Sequence, residues 1–173
     1  MDDGGGATAV GNPPLRQVAS GSDQAGQTDA WLAQAIVREA AEAIVVTDPE
    51  GIIRLWNHAA ERLFGHPAAA AVGQSLDLII PEKQQNRHWE GYRQTMATGR
   101  TRYADSLLSV PATHRDGRRL SIEFSVALLR DEAGRISGIS AIMREVTDRR
   151  SAEKALRARL TELEQRLAQA SPA

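Results

Sequence analysis

The sequence predicts an α+β domain built on one five-stranded antiparallel sheet with helices on one face. Five short apolar runs, each bounded by turn residues, fall as two before and three after a helical middle. Two amphipathic helical stretches flank this set, the second carrying a leucine repeat. A chain of 173 residues suits one core of about 100 to 130 residues with appendages.

Residues 1–27 are rich in Gly, Ala, Ser and Pro and hold too few large apolar side chains to offset the entropy of ordering them, so they read as a disordered leader. Residues 28–41 read as a flanking helix, capped by Thr28 or Asp29 and presenting Trp31, Ala35 and Ile36 on one face. The domain proper is placed at 42–146. It opens with a hairpin, AIVVT and IIRLW around the turn DPEG. Asn57 is the N-cap of HAAERLF, which Gly65 ends, and SLDLII reads as a short helix stopped by Pro81.

From Lys83 the next helix carries His88, Tyr92 and Met96 at i, i+4 and i+8, one face at helical period, until Gly99. Leu107–Thr113 follows as a strand. After the Asp-Gly turn, Leu120–Leu129 alternates with Ile122, Phe124 and Val126 on one side, and Ile136–Val146 completes the sheet. Residues 147–170 form a last helix in which Leu156, Leu160, Leu163 and Leu167 recur at 4, 3 and 4. That seam fits either packing on its own domain or a homodimer, for which a parallel pair is the favoured form, although the spacing alone suits both directions.

Net charge is −1, so no basic excess points to nucleic acid or to an anionic membrane. No apolar stretch approaches the roughly 18 residues of a membrane span and no secretory leader is evident, so a cytoplasmic protein is expected. The chain has no cysteine, which removes disulfides, thiolate metal sites and cysteinyl photochemistry. His58 and His66 are eight apart and share no helical face, and no phosphate-binding loop or nucleophile elbow is present. The reading is therefore of a non-enzyme. The lone imidazole that remains, His88, is by residue type either a satisfied rim residue or a ligand.

The run EAIVVTDPEGIIRLWNHAAERLFGHPAAAAVGQSL resembles a PAS domain, a sensory fold that cups a small molecule between its sheet and helices. The resemblance covers about residues 31–150. REVTDR resembles the family's Asp-x-Thr junction, with Glu145 in place of Asp, which implies that Glu145, Val146 and Thr147 relay a signal to the last helix. Within the family, IPEKQQNRHWEGY is most similar to the haem-binding PAS domain of rhizobial oxygen-sensor kinases. That similarity implies haem as cofactor, with His88 as the iron ligand. Around it, Tyr92, Arg102, Leu108, Val110, Ile122, Ile139 and Ile142 are the expected pocket residues, Arg102 toward a propionate. Leu108 stands where the oxygen sensors carry an arginine that bonds bound gas, so that donor is missing.

Together these observations imply a sensory module acting through a C-terminal helix in a dimer. Because no output segment follows the last helix, it is expected to act on a downstream signalling protein or to have lost an output domain. The rival reading is a cofactor-free interaction module.

Overall fold

The computed structural model describes residues 21–101 and 107–170. The chain divides at Gln34/Ala35, and the described residues before that point belong to α1 (Gly21–Glu39). This helix starts seven residues before the expected cap, and the rest of the stretch read as a leader, residues 1–20, lies outside the described residues. The reason for the earlier start is local: Asp23-Gln24-Ala25 and Gln27 are compatible with helix, and no proline interrupts them.

The remainder forms β1 (Ala43–Thr47), β2 (Ile53–Trp56), α2 (His58–Phe64), α3 (Ala68–Ala71), α4 (Glu82–Thr98), β3 (Leu108–Thr113), β4 (Arg119–Arg130), β5 (Ile136–Glu145) and α5 (Thr147–Ala170). The stretch expected as a short helix before Pro81 is a single tight turn, Leu76–Leu78, held by the Ser75 hydroxyl accepting from the Asp77 amide. The five strands pair antiparallel in the order β2-β1-β5-β4-β3. β5 thus lies at the centre, between β1 and β4, and its pairing with β1 joins the first strand to the last.

Alternation is clearest in β1 and at the start of β4, as in half-buried strands. Ala43, Val45 and Thr47 of β1, Ala141 and Met143 of β5, and Leu120 and Ile122 of β4 are buried. They meet Ala59, Ala60 and Phe64 of α2, Ala71 of α3, and Leu76 and Ile79 of the segment before α4. The α2 helix is seated as its sequence dictates. Asn57 Oδ1 accepts from the Ala60 amide at 3.0 Å, and Gly65 closes the helix at φ +76°, a conformation an L side chain adopts only at a cost.

The register also explains a glycine. A Cβ on Gly138 would run into the Thr47 carbonyl oxygen, so the approach of β5 to the end of β1 requires the missing side chain. Among the described residues, no helix is long and apolar enough to cross a membrane.

Candidate functional site

The predicted ligand helix is α4, and the structure ties its middle to the end of β1. Tyr92 is buried; its hydroxyl donates to the Asp48 carbonyl and accepts from Thr47 Oγ1 at 2.9 Å. Burial pushes the Tyr92 phenol above its ordinary range, so it stays a neutral donor. One residue before a full turn, Trp89 donates from Nε1 to Asp77 Oδ1 at 2.7 Å, and its ring lies where a Cβ on Gly51 would sit. Gly51, at φ +81°, is the αL residue of the β1–β2 turn. That turn is itself fixed by Asp48, whose Oδ1 accepts the amides of Ile52 at 2.9 Å and Glu50 at 3.1 Å. Burial opposes the Asp48 charge, but these amides and Arg54 outweigh it and hold its carboxyl below the usual range.

Tyr92→Phe leaves the buried Thr47 hydroxyl without this partner and should lower stability by about 1–2 kcal/mol, read as a shift in the urea midpoint with an unchanged slope. An unchanged midpoint would show that the tie contributes nothing.

His88 lies on the same face as Tyr92. Its ring stands edge-on to Trp89 at 5.0 Å between centroids and tilted over Tyr92 at 5.9 Å. Its Nε2 is buried and has no hydrogen-bond partner, alone in this among the side-chain nitrogens and oxygens of the described residues. A buried nitrogen without a partner is costly and invites an occupant that satisfies it. Burial also lowers the His88 pKa, an effect Asp77 partly opposes, so the ring is neutral at physiological pH with a lone pair available.

The other predicted pocket residues divide. Leu108 pairs with Phe124 and Val110 with Ile122, placing all four on the helix-facing side of the sheet. Ile139 pairs with Thr47, the residue beneath Tyr92. Ile142 is corrected: it is 43% exposed and pairs with Ile44 and Ser125 on the opposite side. Ile139 and Ile142 are three apart, and a strand that alternates every residue cannot turn both inward. Arg102 lies outside the described residues. Sequence reasoning did not foresee Trp89–Asp77 or Thr47–Tyr92, which join residues 12 and 45 apart. No local spacing signals such pairs.

At the other end of β5 the expected relay residues form a compact joint. Val146 is buried and its amide donates to the Ser121 carbonyl at 2.8 Å. Thr147 Oγ1 accepts from the Ser121 amide at 3.0 Å and donates to Glu145 Oε1 at 2.9 Å. The longer Glu145 thus still reaches the Thr147 hydroxyl. Arg149 pairs with Glu123 and Arg150 bonds Ser109 Oγ, so the first turn of α5 is fixed to β4 and β3.

Comparison with known proteins agrees with this geometry. A protein of Azorhizobium caulinodans described as uncharacterized is 32% identical over 124 residues, covering 71% of this chain and 17% of that one. Sensor protein FixL of Bradyrhizobium diazoefficiens is 28% identical over 138 residues, covering 80% of this chain and 26% of FixL. The chain therefore spans about a quarter or less of these relatives. Among solved structures, an RNA-binding light-oxygen-voltage receptor is 25% identical at a TM-score of 0.65, covering 92% of this chain and 43% of that one. A PAS domain from Colwellia psychrerythraea, at 22% identity and a TM-score of 0.61, covers 69% of this chain and 98% of its own and shares the fold. The PAS fold family matches residues 32–146, and the chain belongs to it.

Proposed function

We propose that this PAS domain is a cytoplasmic sensory module that takes haem through His88 and relays the state of that site through β5 and α5, as a homodimer, to a downstream signalling protein. The observation that carries the reading is His88 Nε2, buried and unpartnered beside Trp89 and Tyr92. Bound haem would supply an iron centre that takes up diatomic gases and changes oxidation state. The residues of this chain do the rest. His88 offers a neutral nitrogen, Val110, Ile122 and Ile139 keep water out, and Tyr92 and Trp89 hold the ligand helix to the β1–β2 turn. Leu108 offers no hydrogen-bond donor, so carbon monoxide and nitric oxide are favoured over oxygen relative to a site with arginine there.

The route to α5 follows from strand order. β1, beneath Tyr92, pairs with β5, and β5 ends in the Glu145-Val146-Thr147 joint. A ligand shifts that joint only through differential affinity for two packings of the domain. The work assigned to these residues is binding and relay, not catalysis.

The test is the visible spectrum of purified chain reconstituted with haem. A Soret band is expected at one equivalent, moved by carbon monoxide, with His88→Ala losing the shifted, histidine-ligated form. One observation favours the second reading, a cofactor-free interaction module: Trp89 and Val110 already pack against the buried core. A colourless protein after reconstitution would favour that reading, and a haem spectrum indifferent to His88 would overturn ligation through His88. Flavin held without adduct chemistry would declare itself as a yellow chromophore in the same preparation.

A further inference from the structure

His88 and Trp89 are consecutive on α4, and side chains one residue apart leave a helix about 100° apart and do not ordinarily face each other. Here their rings meet edge-on, 5.0 Å between centroids and 81° between planes. A contact from outside the helix must therefore hold one of them, and the one held is Trp89. Its Nε1 donates to Asp77 Oδ1 at 2.7 Å, and its ring stands edge-on to Tyr92 at 5.4 Å. Ring carbons of Trp89 also lie 2.3 Å from where a Cβ on Gly51 would be, so the seat exists only because residue 51 is glycine. Asp77 is fixed in turn, its Oδ2 accepting from the Ser75 hydroxyl at 3.0 Å.

His88 has no such hold of its own. Its Nε2 is without a partner, and no hydrogen bond to a described residue ties the ring. A histidine that takes a metal usually donates its other ring N–H to a carboxylate or carbonyl, which sets the orientation of the ring. In this chain a carboxylate is near, but it grips the neighbouring indole, and packing passes the constraint on to the imidazole.

We propose that Asp77 and Trp89 are the positioning residues of His88: the Asp77–Trp89 bond fixes the indole, and the indole fixes the imidazole in the orientation that leaves Nε2 enclosed and unpaired. That the oriented nitrogen serves an iron rests on the haem reading; the orientation itself does not. Without the hold, the ring has to be ordered when a ligand arrives, and affinity falls accordingly.

Three variants test this. Asp77→Asn removes the charge but keeps an acceptor for Trp89 Nε1, Asp77→Ala removes both, and Trp89→Phe keeps a ring but not the donor. In the ligand-free chain, wild type and Asp77→Asn should give one sharp, ring-current-shifted set of His88 ring signals by NMR. Asp77→Ala and Trp89→Phe should give averaged signals moved toward unfolded-chain positions. In the haem-reconstituted chain, transfer of haem to excess apomyoglobin should be about tenfold faster for Asp77→Ala and Trp89→Phe than for wild type, with Asp77→Asn close to wild type. Should Asp77→Ala not fold, Trp89→Phe and Asp77→Asn decide by the same two readouts. A Trp89→Phe chain that loses urea stability but keeps both the His88 signals and the rate of haem loss would show plain packing and overturn the proposal. Asp77→Asn behaving as Asp77→Ala does would place the effect in the charge and overturn it too. A wild-type chain that takes up no haem through His88 would overturn the haem reading alone; the His88 signals of the ligand-free variants then decide whether Asp77 and Trp89 orient the ring.

Discussion

Phe64→Ala should cost about 3–5 kcal/mol of folding stability, the largest effect of any single side chain considered. Phe64 is completely buried at the end of α2, with its ring centroid 5.2 Å from that of Trp56. It is among the largest fully enclosed side chains, and neighbours on α2, β2 and β4 belong to the same buried cluster. Its surroundings are also poorly placed to collapse into a cavity. The Phe64 carbonyl accepts from the Arg115 amide at 2.9 Å, and the His114 ring occupies the space beside Gly65, so the chain on both sides of the ring is pinned to the β3–β4 turn. Phe64→Leu, which refills most of the volume, should cost only about 1–2 kcal/mol. Urea midpoints of the two variants check this. Equal losses would mean that the aromatic pair, not the volume, is what matters.

Asn57→Ala is expected to follow at roughly 2–4 kcal/mol, more than a helix cap alone accounts for. The side chain is 3% exposed and fully bonded. Oδ1 accepts from Ala60 N at 3.0 Å and from Ile44 N at 2.9 Å, while Nδ2 donates to the carbonyls of Val37 and Glu42, both at 3.0 Å. Only the first of these is the cap; the others join α2 to the chain entering β1. Asn57→Ser keeps a capping oxygen and should recover about 1 kcal/mol and no more. Full recovery by serine would show that the tethers to Val37, Glu42 and Ile44 carry no weight.

Asn57 also illustrates how far local reading reaches. Its role at the start of HAAERLF follows from residue type and from an apolar helix beginning one residue later. Its bonds to segments 13 to 20 residues upstream do not. The same holds at the candidate site. The periodicity that put His88 and Tyr92 on one face depends on a few consecutive residues. What Tyr92 holds is a hydroxyl and a carbonyl 45 and 44 residues away. Trp89, which no local pattern singles out, acquires its partner Asp77 and its seat over Gly51 from the way the β1–β2 turn folds back on α4.

What the sequence by itself determined is therefore what near neighbours control: the existence of five strands, the helix ends at Asn57, Gly65 and Gly99, and the leucine spacing of α5. Each reflects steric and hydrogen-bonding preferences that act within about four residues. Tertiary structure alone decided which strands became neighbours, that Ile139 faces the helices while Ile142 faces away, and that Gly138 must leave room for the Thr47 carbonyl. It also decided that His88 Nε2 is enclosed without a partner. Burial and pairing of that kind arise only when segments far apart in the chain are brought together, and their cost or benefit is set by the packed surroundings rather than by the residue.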